Sequence, residues 1–113
     1  MRLIILICTL LLTACATEQT PIARSEDAVI IDVRSPQEFQ QGHIPGAILL
    51  PLDRLQYEIL YLVPAYDQII YVYCRAGRRS ALAAAILQDM GYTAVYDLGG
   101  VVDWPGELVV TGV

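Results

Sequence analysis

Three arginines stand within five residues of Cys74, in the run Cys74-Arg75-Ala76-Gly77-Arg78-Arg79-Ser80. A thiol is a nucleophile only as its thiolate, and neighbouring positive charge favours that form. Gly77 lets the backbone curl so that several N–H groups converge on one point. Residues 69–73 (IIYVY) before the cysteine are apolar and β-rich, and those after Arg79 are rich in alanine and leucine. A strand ending at Cys74 and a helix over 80–90 set the sulfur against the unpaired N–H groups and positive dipole of a helix N-terminus. The same features make an anion site. The loop is therefore read as a reactive thiolate beside a small-anion site, in preference to an inert buried cysteine. At least one of its arginines is expected to pair with a carboxylate or face solvent.

The other cysteines sharpen this reading. The chain has 113 residues and three cysteines, Cys8, Cys15 and Cys74. Residues 1–14 contain one arginine and an apolar run over 3–12 broken only by Thr9. That run is too short to span a bilayer, which takes ~20 apolar residues, and it fits the apolar region of an export signal. Leu12-Thr13-Ala14-Cys15 resembles the lipobox of bacterial lipoproteins, which implies that residues 1–14 are removed and Cys15 is acylated. Several acyl chains hold a protein stably at a membrane, where one chain is marginal. Residues 15–27 form the acylated terminus and a polar tether, and 28–113 a single domain. The protein is expected to face the periplasm or the cell exterior. Cys8 then leaves with the signal and Cys15 carries lipid. Cys74 is left as the one free thiol in an oxidising compartment, without a disulfide partner.

Charge limits the partners. The chain carries 12 acids, 7 arginines and no lysine, for a formal charge of −5. Nucleic-acid binding needs a basic face and is not expected. The arginines instead concentrate around the one thiol.

The remaining elements follow from pattern. Residues 29–33 read as a buried strand. Ser35, Pro36 and Glu38 form the start signal of a helix that Gly42 stops within two turns. A turn over 43–46, a strand over 47–50 and a helix over 53–62 follow, the helix ending before Pro64. Residues 94–98 form the last central strand, with a turn at Gly99-Gly100 and a further short strand over 107–110. Alternation of strand and helix predicts an α/β fold, a mostly parallel sheet of four to five strands with helices on both faces.

At this point the residues resemble a family. Asp32-Val33-Arg34, Glu38-Phe39 and Gly42-His43-Ile44-Pro45-Gly46-Ala47 look like the first signature of the rhodanese domain. The Cys74–Ser80 run looks like its active-site loop, and Gly99-Gly100 with Trp104 like its C-terminal pattern. The resemblance covers residues 29–106 and is closest in kind to single-domain periplasmic rhodaneses of the phage-shock type. It implies a small rhodanese-like fold and sulfur transfer. Cys74 would take sulfur from thiosulfate as a persulfide and pass it to cyanide or a thiol. Backbone N–H groups from Arg75, Ala76, Gly77, Arg78, Arg79 and Ser80 would cradle the persulfide, and Arg75, Arg78 or Arg79 would hold the sulfonate.

Other readings remain in view. A cysteine-dependent phosphatase has an arginine six residues after its nucleophile, where this chain has Ser80. A non-turnover binding or sensing module, or a persulfide carrier fed by a partner protein, would use the same fold. His43 is expected to bond nearby backbone, and one histidine with one thiol cannot close a metal site. No cofactor is expected. Asp32 and Arg34 are expected to form a supporting ion pair beneath the loop. Trp104 is placed in the core in preference to the pocket rim, the tyrosines are expected to serve packing, and the chain is expected to be a monomer or weak dimer.

Overall fold

The computed structural model describes residues 28–110. The expected export signal, Cys15 and the expected tether lie outside them. Four strands form one parallel sheet in the order β2-β1-β3-β4: β1 (Val29–Asp32), β2 (Ile48–Leu49), β3 (Ile70–Cys74) and β4 (Val95–Gly100). Helices α1 (Pro36–Gln40), α2 (Leu52–Leu62) and α3 (Arg78–Asp89) connect them. A short 3₁₀ turn, Val101–Asp103, follows β4.

Each helix has a local cause. Ser35 caps α1 by accepting from the Glu38 N–H, while the Glu38 side chain reaches back to the Ser35 N–H. This reciprocal pair satisfies two donors that a helix start leaves open. Helix α2 turns Leu55 and Ile59 inward and closes with the Val63 N–H on the Ile59 carbonyl at 2.7 Å. Helix α3 presents Ser80, Ala83, Ala84 and Leu87 to the sheet, one face at helical spacing. It begins at Arg78, two residues earlier than the sequence predicts. Gly77 takes the left-handed conformation at φ +100°, so the chain enters the helix directly from the loop. Arg78 and Arg79 are therefore helical, and the loop proper is Arg75–Gly77.

The pleat sorts the strands. Val29, Ile31, Val33, Ile70, Val72, Cys74 and Val95 join Leu55, Ile59, Ala83 and Leu87 in one buried core. On the opposite face Asp32 pairs with Tyr73, and the turn after α1 covers them. Below that cover, the Tyr71 and Tyr96 rings meet at 5.5 Å, and Tyr96 stays 53% exposed.

Three expectations need correction. The segment 107–110 adds no fifth strand. It makes one antiparallel bridge, Val109 to His43, because Pro105 and Gly106 break the chain just before it. Gly99 and Gly100 belong to β4, after a register shift opposite Val72/Tyr73, and are not a turn. Only Tyr73 and Tyr92 of the tyrosines are buried, whereas Tyr57, Tyr61, Tyr66 and Tyr96 are exposed.

Tyr92 ties the end of the sheet remote from Cys74. Its hydroxyl donates to the Val63 carbonyl across 29 positions of sequence, and burial pushes its pKa up to about 12. Tyr92→Phe leaves that buried carbonyl unpaired. The expected loss is about 1–2 kcal/mol, read as a lower urea midpoint at unchanged slope.

Candidate active site

Cys74 is the last residue of β3 and is 1% exposed. The chain then turns through Arg75, Ala76 and Gly77 and starts α3. The Gly77 N–H donates to Sγ at 3.0 Å. The Ser80 hydroxyl lies 3.5 Å from Sγ, 3.1 Å from the Gly77 carbonyl and 3.3 Å from the Gly99 carbonyl. Burial pushes the thiol pKa up. The Ser80 hydroxyl and the backbone N–H groups of Ser80, Gly77 and Ala76 outweigh it, so the thiol is held below its ordinary value. Helix α3 has no side-chain cap of its own. The sulfur lies where a cap would, at the positive end of the dipole.

The floor of the loop is β4. A Cβ on Gly100 would stand 2.4 Å from the Arg75 carbonyl oxygen and 2.8 Å from the Ala76 Cα. Any side chain there displaces the loop backbone. The Val102 N–H also donates to the Arg75 carbonyl at 3.3 Å. The sequence marks the Gly-Gly pair, but only the sheet order brings it under the loop.

The arginines divide. Arg75 and Arg78 are exposed. Arg79 donates to both carboxylate oxygens of Glu38, at 2.7 and 2.9 Å. That fork, helped by the Ser35 hydrogen bonds, holds the Glu38 carboxyl down at about 2 against an opposing push from burial. Glu38 thus serves twice, as a cap for α1 and as the brace of α3. The sequence shows the first role through spacing and gives no signal for the second. Beside Arg75 a cavity of about 290 Å³ opens, walled by Glu38, Gln41, Val101, Val102 and Leu108. A second, of about 520 Å³, lies on the Arg79 side of the ion pair over Pro51 and Leu52.

Asp32 and Arg34 form the expected ion pair, 2.7 Å apart and buried. Their place differs from the expectation. Asp32 is in register with Tyr73, so its side chain lies on the sheet face opposite Cys74. Arg34 also donates to the Gly42 carbonyl at 2.7 Å and lies over the Tyr73 ring at 5.5 Å. The pair braces the turn after α1, not the sulfur loop. Burial and the Asp32 hydrogen bond push the Tyr73 hydroxyl pKa up, and that oxygen accepts from the Ile44 N–H.

His43 is buried, stacked on Phe39 at 3.6 Å, and its Nδ1–H donates to the Phe39 carbonyl at 2.9 Å. It meets backbone and not sulfur. Trp104 is half-buried against Gly106 and joins neither the core nor the cavity at Arg75. Its expected core position is not observed, because it follows the last packed element.

A family model described as Rhodanese-like domain matches residues 18–107. The chain is 47% identical over 73 residues to Thiosulfate sulfurtransferase PspE of Escherichia coli (strain K12), covering 65% of this chain and 70% of that protein. It is 37% identical over 84 residues to a Sulfurtransferase of Allochromatium vinosum, covering 74% of this chain and 77% of that one. A solved structure, rhodanese with anions from E. coli, superposes with a TM-score of 0.70 at 42% identity. It covers 74% of this chain and 98% of its own.

The Glu38–Arg79 fork predicts a pH signature. A depressed carboxyl contributes its stability fully above the ordinary value of 4.5 and loses it as the pH falls toward about 2. Both side chains are partly exposed, so solvent screening reduces the contribution to roughly 1 kcal/mol. Glu38→Gln should cost that amount at pH 7, and the gap from wild type should close by pH 2 in urea titrations.

Proposed function

The chain belongs to the rhodanese-like domain family, and we propose that it is a thiosulfate sulfurtransferase that carries sulfur as a persulfide on Cys74. The observation that carries this reading is the free thiol held at the start of α3, with the Gly77 N–H 3.0 Å from Sγ. A thiol already stabilised as thiolate needs no general base. Its lone pair attacks the outer sulfur of thiosulfate. The sulfur–sulfur bond of the donor breaks, and its electron pair leaves on sulfite. The new Cys74–S–S⁻ anion extends over the loop, where converging N–H groups and the helix dipole favour negative charge. Cyanide or a thiol then takes the outer sulfur and returns the Cys74 thiolate. Arg75 and Arg78 are the exposed cations for the sulfonate end, since Arg79 is engaged by Glu38. Loss of negative charge in the loop never occurs during the cycle, so one preorganised site serves both half-reactions.

We also infer that the chain is exported and held at a membrane through lipid on Cys15, with the catalytic domain facing the periplasm or the cell exterior. The apolar run over 3–12 and Leu12-Thr13-Ala14-Cys15 support this.

Two experiments test these readings. Intact-mass measurement after thiosulfate should show a gain of one sulfur atom, lost on cyanide with release of thiocyanate and absent from Cys74→Ala. No gain with any sulfur donor would overturn the activity. For the anchor, the mature wild-type chain should begin at an acylated Cys15 and fractionate with membranes. Cys15→Ser should not, and an unmodified Cys15 in the membrane fraction would refute the lipid.

A further inference from the structure

A small tetrahedral anion is served by cations and N–H groups, and the loop supplies both. The wall of the cavity facing Arg75 is different in kind. Val101 and Val102 stand in the turn that leaves β4, with the Val102 N–H on the Arg75 carbonyl. Leu108 lies 3.4 Å from the Cβ position of Gly42, and paired backbone bonds between His43 and Val109 hold the segment that carries it. Val102 is 64% exposed, Leu108 41%, Val109 38% and Val110 66%. Val101, Val102 and Leu108 thus give the cavity beside Arg75 an aliphatic wall, and exposed Val109 and Val110 follow Leu108 in the chain. Neither thiosulfate nor cyanide recovers the free energy of covering such surface.

We propose that this aliphatic collar receives the physiological sulfur acceptor, a cysteine thiol flanked by apolar side chains on a peptide or protein. The proposal rests on the sulfurtransferase reading and adds the acceptor class to it. Because Cys74 is 1% exposed, an acceptor thiol must reach inward from the chain that bears it. The neighbours of that thiol then lie on the rim, where Arg75 joins the collar to the sulfur loop. Exposed Asp103 and Glu107 stand on the same segment and oppose acidic flanks, while exposed Arg75 on the cavity wall opposes basic ones, which leaves apolar ones as the better match. In the transfer step the acceptor thiol gives its proton to solvent and its thiolate attacks the outer sulfur of the persulfide. The Cys74–sulfur bond breaks, its electron pair stays on Cys74, and the acceptor leaves as a persulfide. The sulfane sulfur changes carrier without any external oxidant or reductant.

The test uses the full chain, loaded with thiosulfate and freed of excess donor. Discharge is followed with cyanide and with two tripeptide amides, one with cysteine between leucines and one with cysteine between serines. The leucine peptide should show a KM about tenfold below the serine peptide, the affinity equivalent of covering one aliphatic side chain. Val102→Asp should remove most of that discrimination, read as the ratio of the two peptide KM values so that any change common to all acceptors, cyanide included, cancels. Val102→Ser, a milder change, should move it in the same direction and serves if the aspartate variant fails to fold. Equal KM values for the two peptides, or unaltered discrimination in both variants, would overturn the proposal. So would self-association of the wild type that Val102→Asp abolishes, since a second copy would then occupy the collar. Failure of thiosulfate to load Cys74 would instead remove the sulfurtransferase reading itself.

Discussion

A buried thiol held below its ordinary pKa at the start of α3 is the constraint around which the site is built. Taking a charge to a place that is 1% exposed is costly unless hydrogen bonds and dipoles replace water. Here the replacement is built into the backbone. Gly77 turns its N–H to Sγ, the Ser80 N–H and hydroxyl add to it, and α3 contributes its positive end. The helix gains the cap it lacks, and the sulfur gains a lowered pKa. A backbone cradle of this sort is preorganised and needs no rearrangement to favour negative charge at the sulfur.

The geometry of that cradle depends on neighbours that never touch the sulfur. Gly100 leaves no room below the loop for a side chain. Glu38 fastens Arg79 from the far side of the mouth and so fixes the first turn of α3 against α1. The buried Asp32–Arg34 pair holds the Gly42 carbonyl on the other sheet face. Breaking such a pair leaves an uncompensated buried charge, so its value lies in holding one conformation and not in net stability. The two ion pairs hold α1 and its turn, which form one wall of the cavity beside Arg75.

Much of this was legible in the residues. The alternation of apolar runs with capped helical segments predicts the parallel sheet, because strand and helix impose different apolar periods on the chain. Ser35, Pro36 and Glu38 mark α1 through spacing alone, and Cys74 with its arginines marks the site. Two of the misses share one cause. The place of Gly99-Gly100 within β4 and the sheet face of Asp32 depend on strand register, and register is settled by pairing partners far away in sequence. The segment 107–110 carries apolar residues suited to a strand, yet it makes a single bridge, because Pro105 and Gly106 break the chain just before it.

What the sequence determined by itself was the local setting of Cys74 and the order of elements: a thiol at a strand end, a glycine that can enter a helix from the left-handed region, and cations within five positions. These are local properties, and local spacing reports them. Only the tertiary structure decided which cations stay exposed. Arg79 meets Glu38 across 41 positions, and Arg34 bonds Gly42 across 8, so neither assignment can be read from neighbours in the chain. It also placed an aliphatic wall from residues 101–108 beside Arg75. The physical reason is that in a parallel sheet the carboxyl ends of separate strands gather into one rim. Residues that share no local pattern become neighbours there.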